Sequence, residues 1–331
     1  MDRRLLRLQR AIAAEPASGA TRCETRARRS AEGVAFAVAQ RWLVTGASGQ
    51  LGGHVIRQLS LADERATVLA LAGRQEVGTA DVDVRRIDLA DLAALRSCVV
   101  DFRPTQIVHL GAMTAVGACH ARPADAERIN TAATEALAQA AAQVGAQLVF
   151  SSTDMVFDGE RAPYSETDAP RPLSHYGQTK VAAEQVLAAC DHTLIVRIPL
   201  MYGLPCSRRE TTFVQQLAAL SAGEPLRLFT DEYRTPVWLA DAARALIGLA
   251  RTGLTGLIHL AGPQRLSRLG LIAECARLLG VSRPTLVPVS RSDIAASEPR
   301  PADLSLVGDR LEEWFPDLTP GPLHVAALRN G

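Results

Sequence analysis

Short apolar runs alternate with alanine-rich amphipathic stretches along the first two thirds of the chain. The first clear unit is Arg41-Trp-Leu-Val-Thr-Gly46, which reads as a strand running into glycines. After it, Leu51, Val55, Ile56 and Leu59 recur every three to four residues, the period of a helix with one buried face, over 50–61. Further apolar runs at 67–71, 106–110, 147–151 and 193–198 predict strands, and Ile87-Asp88-Leu89 closes a third strand between the first two of these. The stretches 91–100, 130–144 and 178–189 predict helices. Strand alternating with helix implies right-handed crossovers and a parallel sheet, so a doubly wound α/β fold is expected.

Beyond Ile198 the pattern loosens. Prolines at 199, 205, 225 and 236 flank a helix near 211–222, and a strand at 256–260 can rejoin the sheet. Prolines at 284, 288, 299, 301, 316 and 320 break the remainder into short pieces. The expected organisation is an extension over 1–40 without a fold of its own, a dinucleotide-binding domain over 41–200 plus about 236–262, and a smaller C-terminal substrate lobe over about 201–235 plus 263–331. The extension carries arginine clusters, and residues 2–10 could form one short basic helix.

Composition narrows the partners. A formal net charge of +1 gives no general attraction to nucleic acid or anionic lipid, and no apolar run reaches the eighteen residues of a bilayer span. The six cysteines show no metal or redox spacing, so neither a metal nor a disulfide framework is expected, and a reducing cytoplasm is the expected compartment. A homodimer is left open.

Chemistry concentrates in four places. Glycines 46, 49 and 52 stand between strand and helix, where they permit a tight turn and close approach of a pyrophosphate to the helix N-terminus. The second strand ends in Gly73-Arg74, with no acid to hold ribose hydroxyls; a guanidinium there suits a 2′-phosphate and favours NADPH, with NADH as the fallback. Asp88 could accept from an adenine amino group, while Asp88 or Asp91 could equally cap a helix. Finally, Lys180 is the only lysine against thirty-five arginines, four residues after Tyr176. On a helix the two share a face, and the ammonium is expected to lower the phenol's pKa and make it a better general acid. A hydroxyl from 151–153, at the carboxyl end of the fifth strand, completes a carbonyl-reducing geometry. For Ser152 and Asp154, hydrogen bonding within the turn is the expected role.

Thr45-Gly-Ala-Ser-Gly-Gln-Leu-Gly52, Ser151-Ser-Thr-Asp-x-Val-Phe-Asp-Gly159, Pro163-Tyr-Ser-Glu-Thr-Asp168, Tyr176-Gly-x-Thr-Lys180 and Arg300-Pro-Ala-Asp303 together resemble the dTDP-4-dehydrorhamnose reductase family of the extended short-chain dehydrogenase/reductases, over about 41–328. The resemblance implies Thr153, Tyr176 and Lys180 as catalytic residues. It implies cofactor contacts at Gly46, Ser48, Gly49, Gln50, Leu51, Arg74, Asp88, Leu89, Gly111 and Ala112, besides Tyr176 and Lys180. Substrate contacts are implied at Thr114, Arg234 and Arg300, the last two facing a diphosphate or else forming salt bridges between lobes. Asn130 matches a family asparagine and is read as structural. The implied activity is NADPH-dependent reduction of a 4-keto (deoxy)sugar nucleotide. This chain departs from the family at Met155, at Ile198-Pro-Leu-Met-Tyr-Gly203, which lacks the usual tryptophan, and at Gly117-Ala-Cys-His120, which lacks an acidic stretch. Arg197-Ile-Pro-x-x-Tyr-Gly203 also resembles the non-catalytic regulatory beta subunits of methionine adenosyltransferase. An epimerase or dehydratase that retains NAD is the third reading.

Overall fold

In the computed structural model the sheet is built from seven parallel strands. The structure describes residues 40–62, 66–78, 82–206 and 210–325. The expected N-terminal extension and its basic helix lie outside the described residues, Gln40 excepted. In chain order the sheet strands are β1 (Arg41–Thr45), β2 (Thr67–Ala72), β3 (Asp83–Arg86), β4 (Gln106–His109), β5 (Gln147–Thr153), β6 (Thr193–Ile198) and, after an excursion, Gly256–His259. Their spatial order is β3-β2-β1-β4-β5-β6 followed by the 256–259 strand, which pairs parallel with β6 as anticipated. The order reverses between β1 and β4, where a doubly wound sheet opens a crevice at its carboxyl edge.

Alternation along the strands separates two cores. Trp42, Val44, Val149, Leu194 and Val196 face one side with α1 (Gln50–Ala62) and the helix Leu239–Thr252. Leu43, Leu148, Phe150 and Ile195 face the other side, against α2 (Leu92–Phe102), α5 (Ala133–Val144) and α6 (His175–Ala188). Between α2 and α5 lie α3 (Val116–Ala121), α4 (Pro123–Glu127) and a π-helical turn over Arg128–Ala132. Such doubly covered strands read as near-continuous apolar runs, which is why they were visible in the sequence.

A smaller lobe packs its own core from Phe213, Leu217, Leu228, Leu271, Ile272 and Cys275. It contains α7 (Thr212–Ala222), β7 (Met201–Tyr202), β8 (Leu226–Phe229), β9 (Tyr233–Arg234) and β10 (Val237–Trp238). After α8 (Leu239–Thr252) and the sheet strand β11 (Gly256–His259), it resumes with β12 (Leu266–Ser267), α9 (Arg268–Leu279) and β13 (Leu286–Val289). β8 pairs with β13 and β9 with β12, so distant segments interleave. Among the described residues no helix is long and apolar enough to cross a membrane.

Three details depart from expectation. β3 ends at Arg86, one residue before Ile87, and all four of its residues are exposed at the sheet edge. Helix α6 begins at His175 because Ser174 caps it, accepting from the Gly177 amide at 3.1 Å. The stretch 130–144 is helical only after the π turn.

Candidate active site

The glycine loop shapes one end of a cavity of about 870 Å³ at the crevice. A Cβ at Gly52 would stand 2.2 Å from the Gly46 carbonyl oxygen and 2.9 Å from Ala47 Cα, so only glycine lets α1 approach β1 this closely. Gly46 adopts φ +66°, and a Cβ on it would meet the Gly111 backbone at 2.7 Å. Thr45 locks the two loops together. Its hydroxyl accepts from the amides of Leu110 (3.1 Å) and Gly111 (3.0 Å), leaving its own proton for His109 Nδ1 at 2.6 Å. His109 Nε2 then donates to Thr134 Oγ1 at 3.0 Å, the tautomer that follows because Thr134 gives its own proton to the Asn130 carbonyl. Burial, then nearby Lys180, pushes His109 down to about 3, so the ring is neutral.

All ten residues expected to touch a dinucleotide, Gly46, Ser48, Gly49, Gln50, Leu51, Arg74, Asp88, Leu89, Gly111 and Ala112, line this one cavity. At its outer end Asp91, not Asp88, caps α2, accepting from the Ala94 amide at 3.0 Å. Asp88 accepts from the Ala90 amide at 2.9 Å within the turn. Arg86 was not anticipated; its guanidinium donates to the carbonyls of Gly73 (3.2 Å) and Arg74 (3.1 Å) and fixes the turn that presents Arg74.

Thr153, Tyr176 and Lys180 meet on the opposite wall. All three are buried, and the Thr153 hydroxyl is close enough to the Tyr176 phenol to influence its ionisation. Thr153 Oγ1 also donates to Asp154 Oδ1 (3.2 Å) and accepts from the Met155 amide (3.2 Å), so a short 3-10 turn fixes its rotamer. Lys180 Nζ donates to the Ser151 carbonyl at 2.7 Å and lies 3.9 Å from the Phe150 ring centroid. Asn130 ties the loop after β4 to α6: it accepts from the Met113 amide (2.8 Å) and donates to the Met113 carbonyl (3.0 Å) and Thr179 Oγ1 (3.0 Å).

The electrostatics correct one expectation. Burial raises the Tyr176 phenol above its ordinary value, with Asp154 and Cys119 adding to the rise, and only the neighbouring Thr153 hydroxyl opposes it. Lys180 does not lower it, because the ammonium is turned to the Ser151 carbonyl. Lys180 is itself pushed down to about 7 by burial, with Glu184 opposing. The phenol therefore keeps its proton throughout the neutral range, and the amine sits close to half-protonated.

The far end is cationic. Arg234 and Arg268 line the cavity together with Thr114. Arg234 Nε lies 3.1 Å from Asp154 Oδ2, and Arg268 Nε 3.8 Å from Glu232. Arg268 drops to about 10, chiefly through burial and then the neighbouring Arg234. Arg300 is not among the residues lining the cavity. Its guanidinium is bidentate to Glu232 (2.5 and 3.1 Å) and lies over the Phe229 ring, a salt bridge within the smaller lobe and not the one between lobes that was expected. Arg268 escaped the sequence reading because nothing in Leu266-Ser-Arg-Leu distinguishes it from a surface arginine at a helix start.

Comparison with known proteins agrees with this geometry. The family model described as "RmlD substrate binding domain" matches residues 40–320. A dTDP-4-dehydrorhamnose reductase of Streptomyces griseus is 35% identical over 271 residues, covering 79% of this chain and 83% of the relative. The structure of a hypothetical dTDP-4-dehydrorhamnose reductase from Sulfolobus tokodaii superposes with a TM-score of 0.73 at 30% identity, covering 83% and 95% of the two chains. Methionine adenosyltransferase 2 subunit beta of Xenopus tropicalis is 28% identical over 282 residues, covering 83% of this chain and 82% of that one. With a family match across this length and a reductase relative above 30% identity, the chain belongs to the dTDP-4-dehydrorhamnose reductase family of the extended short-chain dehydrogenase/reductases.

Proposed function

We propose that the chain is an NADPH-dependent reductase of a 4-keto deoxysugar carried on a nucleoside diphosphate, with dTDP as the carrier suggested by its relatives. One observation carries this reading: Thr153, Tyr176 and Lys180 line the same cavity that the glycine loop opens onto. The nicotinamide cofactor supplies the hydride that reduces the carbonyl carbon. Thr153 and Tyr176 hydrogen-bond the carbonyl oxygen as it gains charge, and the phenol gives its proton to that oxygen, leaving a secondary alcohol. Lys180, anchored on the Ser151 carbonyl at the same wall, binds ribose hydroxyls. Ser48, Gln50 and the glycine loop take the pyrophosphate at the start of α1, and Arg74 takes the 2′-phosphate. Arg234 and Arg268 face the substrate diphosphate, with Thr114 near the sugar. The free thiols at 98, 119, 190, 206 and 275 accord with a cytoplasmic setting.

The test is NADPH oxidation with dTDP-4-keto-6-deoxyglucose, its 3,5-epimer and other 4-keto nucleotide sugars. Tyr176→Phe lowers kcat by about 10²–10⁴-fold while NADPH affinity stays within a few-fold. Wild-type-like turnover in that variant removes Tyr176 as the acid. The regulatory-subunit reading rests on the Arg197-Ile-Pro-x-x-Tyr-Gly segment and the beta-subunit relatives. It is favoured instead if no 4-keto sugar is reduced and the chain forms a stable complex with a methionine adenosyltransferase catalytic subunit. An NAD-retaining epimerase or dehydratase would show bound nicotinamide on purification and no net cofactor oxidation.

A further inference from the structure

Glu298 does not line the cavity, yet it reaches the helix that carries Tyr176. It belongs to the segment 290–300, which follows β13 in the smaller lobe. Its side chain is 9% exposed, and Oε1 accepts from the backbone amide of His175 at 2.7 Å. His175 is the first residue of α6 and the immediate neighbour of Tyr176. Ser174 already takes the Gly177 amide, so the first turn of α6 has two acceptors, one from its own chain segment and one from the other lobe.

The rest of the setting suits a built contact. Segment 290–300 is anchored at its base, where Asp231 accepts from Ser290 Oγ (2.6 Å) and from the Arg291 amide (2.9 Å). Arg291 donates to the Arg300 carbonyl at 2.8 Å and closes the segment on itself. Glu298 Oε2 is buried without a hydrogen-bond partner, and His120 Nδ1 stands 3.7 Å from Oε1. A buried carboxylate in that state costs stability unless something offsets it, and the positive end of the fourteen-residue α6 does so.

We infer that Glu298 is a positioning residue, a second cap supplied across the lobes that holds the first turn of α6 and keeps the Tyr176 phenol against Thr153. Its effect on turnover rests on the reductase reading above; its effect on the helix does not. Without the cap the His175 amide has no acceptor, the turn frays, and the phenol leaves its place beside Thr153. Small displacements of this kind are expensive for a reacting group.

Two variants of the full chain test it, followed by site-resolved amide hydrogen exchange, NADPH titration and steady-state kinetics. In Glu298→Ala the amides of His175 and Gly177 exchange about tenfold faster, as expected for loss of a helix cap, while those of β1 and β4 are unchanged. In the same variant kcat falls about tenfold and the NADPH dissociation constant stays within twofold. Glu298→Gln, which keeps the acceptor, recovers most of both losses and guards against a folding artefact. Wild-type exchange at His175 in the alanine variant overturns the cap. Faster exchange with unchanged kcat overturns the positioning of Tyr176. A wild-type chain that reduces no substrate ends the reductase reading, and the exchange result alone then decides the cap.

Discussion

Lys180 shows how a single side chain can be recognised in a sequence and still behave differently once folded. Its scarcity pointed to a special role, and it does line the cavity beside Tyr176. Its effect on the phenol could not be read, because that depends on what else the ammonium touches: the Ser151 carbonyl and the Phe150 ring, both on β5. Burial lowers Lys180 from 10.5 to about 7. Between these values the unfolded chain holds the proton and the folded chain does not, so the contribution to stability rises with pH across about 7 to 10.5 and is lost as pH falls through 7. We expect the difference in urea midpoint between wild type and Lys180→Met to shift in favour of wild type between pH 6.5 and 9.5. A pH-independent difference refutes the buried amine. NADPH affinity should run the opposite way, weakening above pH 7 in wild type but not in the variant, since binding draws on the charged form.

At the scale of elements, the sequence was most readable where burial is one-sided or complete. Strands β1, β2, β4, β5 and β6 are apolar on both faces, and α1 carries a regular apolar stripe through Leu51, Val55 and Leu59. The start of α6 was hidden because its first two turns bury Tyr176, Gly177, Thr179 and Lys180 in place of an apolar stripe, with Tyr176 and Lys180 lining the cavity. The two-residue strands β7, β9, β10 and β12 left no pattern, since two residues cannot show alternation. The π turn at 128–132 is likewise a tertiary event, in which Asn130 reaches Met113 and Thr179. The glycine loop gives the sharpest element-level expectation. Gly52→Ala must push α1 off β1, because the new Cβ would lie 2.2 Å from the Gly46 oxygen. Overpacking of this kind costs roughly 1–3 kcal/mol, and we expect a fluorescence titration to show NADPH affinity reduced at least about tenfold, with the fold kept by circular dichroism. Unchanged affinity would mean that the loop does not hold the pyrophosphate.

Across the whole molecule, the division into sheet and smaller lobe followed from the change of hydrophobic pattern after Ile198, whereas the contacts between the two parts did not. Asp154 leaves the end of β5 to meet Arg234 of β9, and within the smaller lobe Arg300 and Arg268 converge on Glu232 behind that contact. Arg300–Glu232 joins residues 68 positions apart and Asp154–Arg234 residues 80 apart, so no local spacing announces them. Burial, more than any partner, sets the Asp154 carboxyl above its usual range, a sign of how thoroughly water is excluded there. Asp154→Ala leaves a buried guanidinium uncompensated and is expected to lower unfolding free energy by about 3 kcal/mol in urea denaturation. A change below about 1 kcal/mol would show that the seam is solvated in solution.

The rarity of lysine also has a chemical outcome. Acylating and reductively alkylating reagents seek ε-amines, and this protein offers one, at the floor of the cleft with its proton loosely held near neutrality. Conjugation protocols that decorate the surface of most proteins would here either spare the side chains altogether or strike the cleft, so a lysine-directed label becomes a site-selective probe by default.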